Sequence, residues 1–475
     1  MIRNQGITSR RQFLSTMGNG FGALALGSML AKDARASDLD ITEDPLRHIP
    51  SKVRSIVWFF LDGGPSHIDL FDPKPVLEKL AGKPLPSSFP RPQTAMGITA
   101  NTPLMASKRK FKQHGKSGIW MSDWLPNLAR HADDMAVLRS CVGEGLTHVA
   151  SVLQMNTCST LPGRPSLGAW SVYGLGNECD DLPSFVVLSD RRGDVPGGSR
   201  NWGSGFIPAA YQGTRFLEGP EPVLFHAPPP QVAPARQRRK LDYLKWMNER
   251  RKSDSLAADR LEARIASYEL AWKMQTSIPQ VVDLSRETKE TLNLYGLENE
   301  TTGQAAKACL MARRLVERGV RFIQVYLGSG SSWDAHTDLE GNHSGLCRET
   351  DQPVAAFLTD LKRRGLLDET LVIWGGEFGR TPMSESGDGR DHNPYGFTMW
   401  FAGAGVKAGS VVGSTDEIGL YAVDRPAPIK DIHATILRMA GLENDLLTFR
   451  HNGRDERATI TDATVVEELL GSEVS

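Results

Sequence analysis

Cysteines are scarce in this sequence, and none of them pair up. The five, Cys141, Cys158, Cys179, Cys309 and Cys347, are odd in number, widely spaced and never arranged as C-x-x-C, which argues against a zinc ribbon or a disulfide framework. They read as core residues, with one disulfide left open for a chain living outside the cytoplasm. An excess of either charge is also missing, since 55 Lys and Arg stand against 56 Asp and Glu. Without a concentrated basic face there is no electrostatic case for nucleic acid as a partner. Long apolar runs are absent as well. The stretch from Met17 to Ala31 is Gly- and Ala-rich and about 15 residues long, short of the roughly 20 that span a bilayer, so no permanent membrane span is expected. Nor does the chain carry a P-loop, a G-x-G-x-x-G fingerprint or a G-x-S-x-G elbow in a convincing context, which sets aside nucleotide-binding and serine-hydrolase chemistry.

What is present is a globular composition, with 475 residues of which 40% are hydrophobic and 23% charged, enough to bury a large core. At the N-terminus Ser9-Arg10-Arg11-Gln12-Phe13-Leu14 precedes the weakly apolar run, and Ala34-Arg35-Ala36 follows it as a small-residue cleavage site. That order predicts a twin-arginine signal over residues 1–36 and a mature domain over 37–475, exported to the periplasm or beyond.

Along the mature chain, Val53 to Leu61 reads as a buried parallel strand that breaks into a loop at Asp62-Gly63-Gly64-Pro65. Further strands are predicted at Met135 to Arg139, Phe185 to Leu188, Arg321 to Tyr326 and Thr370 to Trp374, with helices from His148 to Met155, Ala305 to Glu317 and Asp351 to Arg364. The alternation predicts an α/β fold with a largely parallel sheet, helices on both faces and a charged helical insertion at about 235–300. Within the insertion, the run Arg236-Gln237-Arg238-Arg239-Lys240 reads as a solvated helix face, with contact to an anionic polymer as the alternative.

In open α/β sheets ligands gather at the C-terminal ends of the strands, which puts Asp62, the segment after Tyr326 and Glu377 on one rim. Trp333-Asp334-Ala335-His336 supplies a carboxylate and an imidazole there, a mixed set that divalent metals accept, with Asp338 and His343 able to replace or supplement it. The alternative is an Asx turn with a surface histidine. Arg380, in Gly375-Gly376-Glu377-Phe378-Gly379-Arg380, either clamps an oxyanion or pairs with Glu377. Asp391-His392 adds a second Asp and His. Thr147-His148 lies where a loop enters a helix, so that either could face an anion, although Thr147 also suits an N-cap.

Taken together, Phe60-Leu61-Asp62-Gly63-Gly64-Pro65-Ser66-His67, Asp69-Leu70-Phe71-Asp72-Pro73-Lys74-Pro75, Pro162-Gly163-Arg164-Pro165-Ser166-Leu167-Gly168, Trp333-Asp334-Ala335-His336, Gly376-Glu377-Phe378-Gly379-Arg380-Thr381-Pro382 and Asp391-His392-Asn393 resemble the exported bacterial family labelled domain of unknown function 1501. That family is similar in turn to the alkaline phosphatase and sulfatase superfamily. The resemblance implies an alkaline-phosphatase-like three-layer sandwich with one or two divalent metals (zinc, calcium, magnesium or manganese) at the strand ends beside a nucleophile. In chain order it implies a metal carboxylate at Asp62, a nucleophile at Thr147 or His148, and metal roles for Asp334 with His336 or His343 and for His392; the reading of the residues themselves adds Glu377 and Asp391 to the metal set and Arg380 to the catalytic one. Two departures stand out. Where the superfamily has Asp-His after the late strand this chain has Glu377-Phe378, and the C-x-P-S-R signature of formylglycine sulfatases is missing.

The expected function is hydrolysis of a sulfate or phosphate ester, on an anionic small molecule or a carbohydrate. The rival is a non-catalytic binding or assembly protein of the cell envelope that keeps the sheet and part of the metal site.

Overall fold

The apolar run after residue 53 forms strand β1 (Ser55–Phe60), in which every residue is buried. Successive side chains point to opposite faces, so Val57 and Phe59 enter one core layer while Ile56, Trp58 and Phe60 enter the other. The structure, a computed structural model, describes residues 47–96, 101–190, 192–217, 233–250, 258–328 and 330–474. The twin-arginine stretch and its cleavage site lie outside these.

The same sheet contains β2 (Met135–Val142), β3 (Phe185–Leu188), β4 (Thr214–Phe216), β5 (Phe322–Tyr326), β6 (Thr370–Gly375), β7 (Phe397–Gly403), β8 (Val411–Val412) and β9 (Ala427–Pro428). Their order among the described residues is β8-β2-β7-β6-β1-β5-β3-β4, with β9 also pairing β2. β1 pairs in parallel with β5 through Ile56 opposite Phe322, and with β6 through Ile56 opposite Leu371. β7 runs antiparallel to both β2 and β6, which makes the sheet mixed but mostly parallel.

Helices α1 (His148–Thr157) and α2 (Leu167–Leu175) contribute Val152, Met155, Leu167 and Trp170 to one core layer. In the charged segment, α3 (Pro234–Arg250) and α4 (Ala258–Val282) follow. Then α5 (Gly303–Glu317) and α6 (Leu339–Arg363) supply Cys309, Leu310, Phe357 and Leu361 to the opposite layer. α7 (Ile429–Met439) returns to the first layer through Ile432 and Ile436. Helix, sheet and helix thus stack as three layers. This arrangement belongs to one unit, residues 49–230 and 270–475; the second unit takes residues 1–48 and 231–269.

Two details differ from the sequence reading. α6 begins at Leu339 rather than Asp351, because the Asp338 carboxylate accepts from the Gly341 N–H as an N-cap and the first turns bury His343, Cys347 and Thr350, too polar a stripe to register as amphipathic. All five cysteines are buried and free, so the disulfide left open does not form among them.

Candidate metal centre

At the rim, the chain leaving β1 turns through Gly63 and Gly64, both at positive φ (+111° and +78°). A Cβ on Gly63 would lie 2.5 Å from the Trp333 nitrogen, and one on Gly64 2.6 Å from the Phe378 ring. Only glycine lets the segments after β1, β5 and β6 close this tightly. The closure brings Asp62, Asp334 and Glu377 together. The Ser331 N–H donates to Asp62 Oδ2, and the Gly63 N–H donates to Glu377 Oε1 at 2.8 Å.

Asp334 is the hub. His148 Nε2 lies 3.1 Å from its Oδ2, while His336 Nε2 at 3.2 Å, His392 Nε2 at 3.4 Å and an Arg380 guanidinium nitrogen at 2.7 Å surround its Oδ1. His336 Nε2 and His392 Nε2 are 3.1 Å apart. Burial disfavours ionisation of Asp334, but hydrogen bonds from the three histidines and the charge of Arg380 hold its carboxyl far below the usual range. Burial likewise works against a charged His148, yet its bonds to Asp334 and Glu377 prevail and raise it to about 9.

Two of the imidazoles are oriented by a hydrogen bond through their other nitrogen, and the third has carboxylates near it. His148 Nδ1 donates to Glu377 Oε1 at 2.8 Å, and His392 Nδ1 donates to the Leu146 carbonyl at 2.7 Å. His336 Nδ1 sits 3.2 Å from Glu385 Oε1 and 3.8 Å from Asp391 Oδ1. An imidazole held at Nδ1 by a carbonyl or carboxylate, with Nε2 turned inward, is how proteins prepare a histidine to ligate a metal. Two groups of donor atoms, His148 with Asp334 and His392, and His336 with Asp391 and His392, each lie within 4.8 Å of one another.

The buried carboxylates agree with a cation here. Asp62 Oδ1, Glu377 Oε2 and Asp391 Oδ2 are buried without a hydrogen-bond partner among the described residues, although such oxygens are normally satisfied. Burial, reinforced by the charge of Glu377, pushes Asp62 up to about 8. Nitrogen and carboxylate donors in this mixture suit zinc or manganese better than the all-oxygen shell calcium and magnesium prefer. The residues therefore fit a divalent metal.

Of the residues nominated from sequence, Asp334, His336, Asp391 and His392 come together, and His148, nominated for a catalytic role, lies among them with its Nε2 on Asp334. Asp62 and Glu377 stand beside them outside both donor groups. His343 does not join: it is buried in α6, accepts from the Ser66 N–H at 3.0 Å, and burial lowers it to about 3. Thr147 is the exposed N-cap of α1 and makes no side-chain capping bond. Arg380 is closed off from solvent, and its donors go to the carbonyls of Gly63, Gly64 and Arg390 and to Asp334, so it holds the site rather than gripping a substrate. Phe378, at the position where the resemblance implied an imidazole, stacks on His392 with ring centroids 4.5 Å apart. Glu385 and the Leu146 carbonyl escaped the sequence reading. Glu385 lies in a polar loop with no motif around it, and a carbonyl leaves no trace in residue identity.

A family model described as protein of unknown function (DUF1501) matches residues 53–470. No curated protein matches the sequence. Among solved structures, the PsFucS1 sulfatase from Pseudoalteromonas sp. aligns at 12% identity and a TM-score of 0.34, covering 89% of this chain and 71% of its own. Alkaline phosphatase from the Antarctic bacterium TAB5 aligns at 10% and 0.35, covering 83% and 99%. The phosphonate monoester hydrolase SpPMH from Silicibacter pomeroyi aligns at 13% and 0.32, covering 67% and 69%. Overlaps this loose carry no assignment of chemistry.

Proposed function

This chain belongs to the DUF1501 family, and we propose that it is an exported metal-dependent hydrolase of sulfate or phosphate esters, with an ester of a polysaccharide as its substrate class. The observation that carries this reading is the convergence of three imidazole Nε2 atoms on Asp334, two of the rings oriented at Nδ1 by hydrogen bonds, beside buried carboxylate oxygens that lack partners among the described residues. His148, Asp334, His336 and His392 would hold the ion, with Asp391 completing the second group. A divalent metal held there supplies Lewis-acid chemistry, polarising an ester oxygen and lowering the pKa of water.

The chain's own residues do the rest. Glu377 fixes the ring of His148, and Arg380 fixes Asp334, so that neither donor can swing away. The uncapped start of α1 directs backbone N–H groups outward, where they suit a tetrahedral anion. Thr147, whose hydroxyl makes no capping bond, is the candidate nucleophile. Phe378 favours a second reading, in which a centre lacking that imidazole serves binding or assembly in the cell envelope.

Elemental analysis of the folded protein, beside a folded Asp334→Ala/His336→Ala variant, separates the two when followed by assays on p-nitrophenyl sulfate, p-nitrophenyl phosphate and sulfated polysaccharides. Stoichiometric metal lost in the variant, together with metal-dependent hydrolysis, is the expected result. Stoichiometric metal with no hydrolysis moves the assignment to binding. Protein that takes up none of zinc, manganese, calcium or magnesium overturns the metal centre itself.

A further inference from the structure

Helix α3 carries an exposed stripe that the metal centre does not use. Arg239, Tyr243, Trp246 and Arg250 follow one another at spacings of four, three and four residues, which puts them on one face of a helix. All four are exposed, Tyr243 by 58% and Trp246 by 47%, while Gln237, Leu241 and Leu244 on the opposite side are half-buried. The Tyr243 and Trp246 rings stack at 5.7 Å with 24° between their planes, and the Arg250 guanidinium lies 4.2 Å from the centre of the Trp246 ring. No carboxylate pairs with Arg239 or Arg250 among the described residues, whereas Arg238, off this stripe, is engaged by Asp242 and Glu269.

Even stacked on each other and beside Arg250, Tyr243 and Trp246 leave 58% and 47% of their surface in solvent, aromatic area free for an occupant. Its charge is complementary to an anion. Arg236, Lys240 and Lys245 flank it, also exposed, against Asp242. The solvent-facing surface of these aromatics matches the C–H face of a sugar, and arginine forks suit sulfate or carboxylate groups. A membrane surface would call for a broader apolar face than two rings. Single-stranded nucleic acid would call for a basic groove along several phosphates, in a chain whose net charge is −1. We propose that the Arg239–Tyr243–Trp246–Arg250 stripe of α3 is a binding platform for anionic polysaccharide, independent of the metal centre.

The test measures affinity of the full chain for dextran sulfate by calorimetry, with neutral dextran, phosphatidylglycerol vesicles and an oligothymidylate at the same salt. Tyr243→Ala/Trp246→Ala keeps every charge and should weaken dextran sulfate binding by about tenfold or more, as should Arg239→Ala/Arg250→Ala. Both variants should keep the wild-type circular dichroism and melting temperature, because the stripe faces solvent. Binding should persist in Asp334→Ala/His336→Ala, which separates the platform from the metal centre. An aromatic variant that binds dextran sulfate as tightly as wild type would overturn the platform. So would tighter binding of vesicles or oligothymidylate than of dextran sulfate, lost in the aromatic variant.

Discussion

The guanidinium of Arg380 reaches Asp334 Oδ1 at 2.7 Å from a position no solvent touches, while its remaining donors hold the carbonyls of Gly63, Gly64 and Arg390. One side chain therefore ties the turn after β1 to the carboxylate at the hub. Arg380→Met should lower unfolding free energy by about 3 kcal/mol, because Asp334 and three carbonyls lose a donor together. Zinc affinity should fall about 10- to 100-fold, as when other groups that orient a ligand are removed. Urea denaturation and competition titration against a zinc chelator measure the two effects. A folded variant with undiminished affinity would mean that Asp334 holds its place without Arg380.

Gly64 tests the closure of the rim. Its φ of +78° is costly for alanine, and the added Cβ would sit 2.6 Å from the Phe378 ring that stacks on His392. Gly64→Ala should cost about 2–4 kcal/mol from the backbone and the overlap combined. Pairing it with Phe378→Leu should recover the steric part and leave the conformational part. Additive losses in the double variant, measured by urea denaturation, would rule out the contact as the cause.

Away from the centre, His433 is fully buried, with Nε2 against the Met155 carbonyl at 2.7 Å, and burial lowers it to about 4 from an ordinary 6.5. The unfolded chain then binds a proton that the folded chain refuses between these values, so stability falls as pH drops through 6.5 and levels off below 4. At pH 5 this histidine should lower stability by about 2 kcal/mol relative to pH 7.5. His67, lowered by burial to about 4 as well, adds a similar amount. His433→Gln, which keeps a donor for Met155, should flatten the fall by its own share in urea titrations at the two pH values. An unchanged slope would remove His433 from the account.

The layers of the fold were legible because each core strand buries both faces and so leaves a continuous apolar run, as in Val53 to Leu61 and Thr370 to Trp374. Asp334 and His336 could be nominated because they follow a strand whose C-terminal end lies at the rim, and His392 because a short Asp-His motif marks it. The tasks of Arg380 and His343 could not be read the same way. An arginine after a strand looks the same in sequence whether it faces a substrate or three backbone carbonyls, and His343 looked like a loop ligand because the polar first turns of α6 hid the helix it belongs to.

By itself the sequence determined the succession of strands and helices, the family motifs and the supply of Asp and His at the rim, since these follow from local patterning and residue chemistry. Only the tertiary structure decided that His148, 186 positions before Asp334, turns its Nε2 onto that carboxylate, and that Glu385 and the Leu146 carbonyl stand beside the outer nitrogens of His336 and His392. A metal site depends on distances of a few ångströms between segments far apart along the chain, and those distances are set by how the strands pair and how tightly the glycine turn closes.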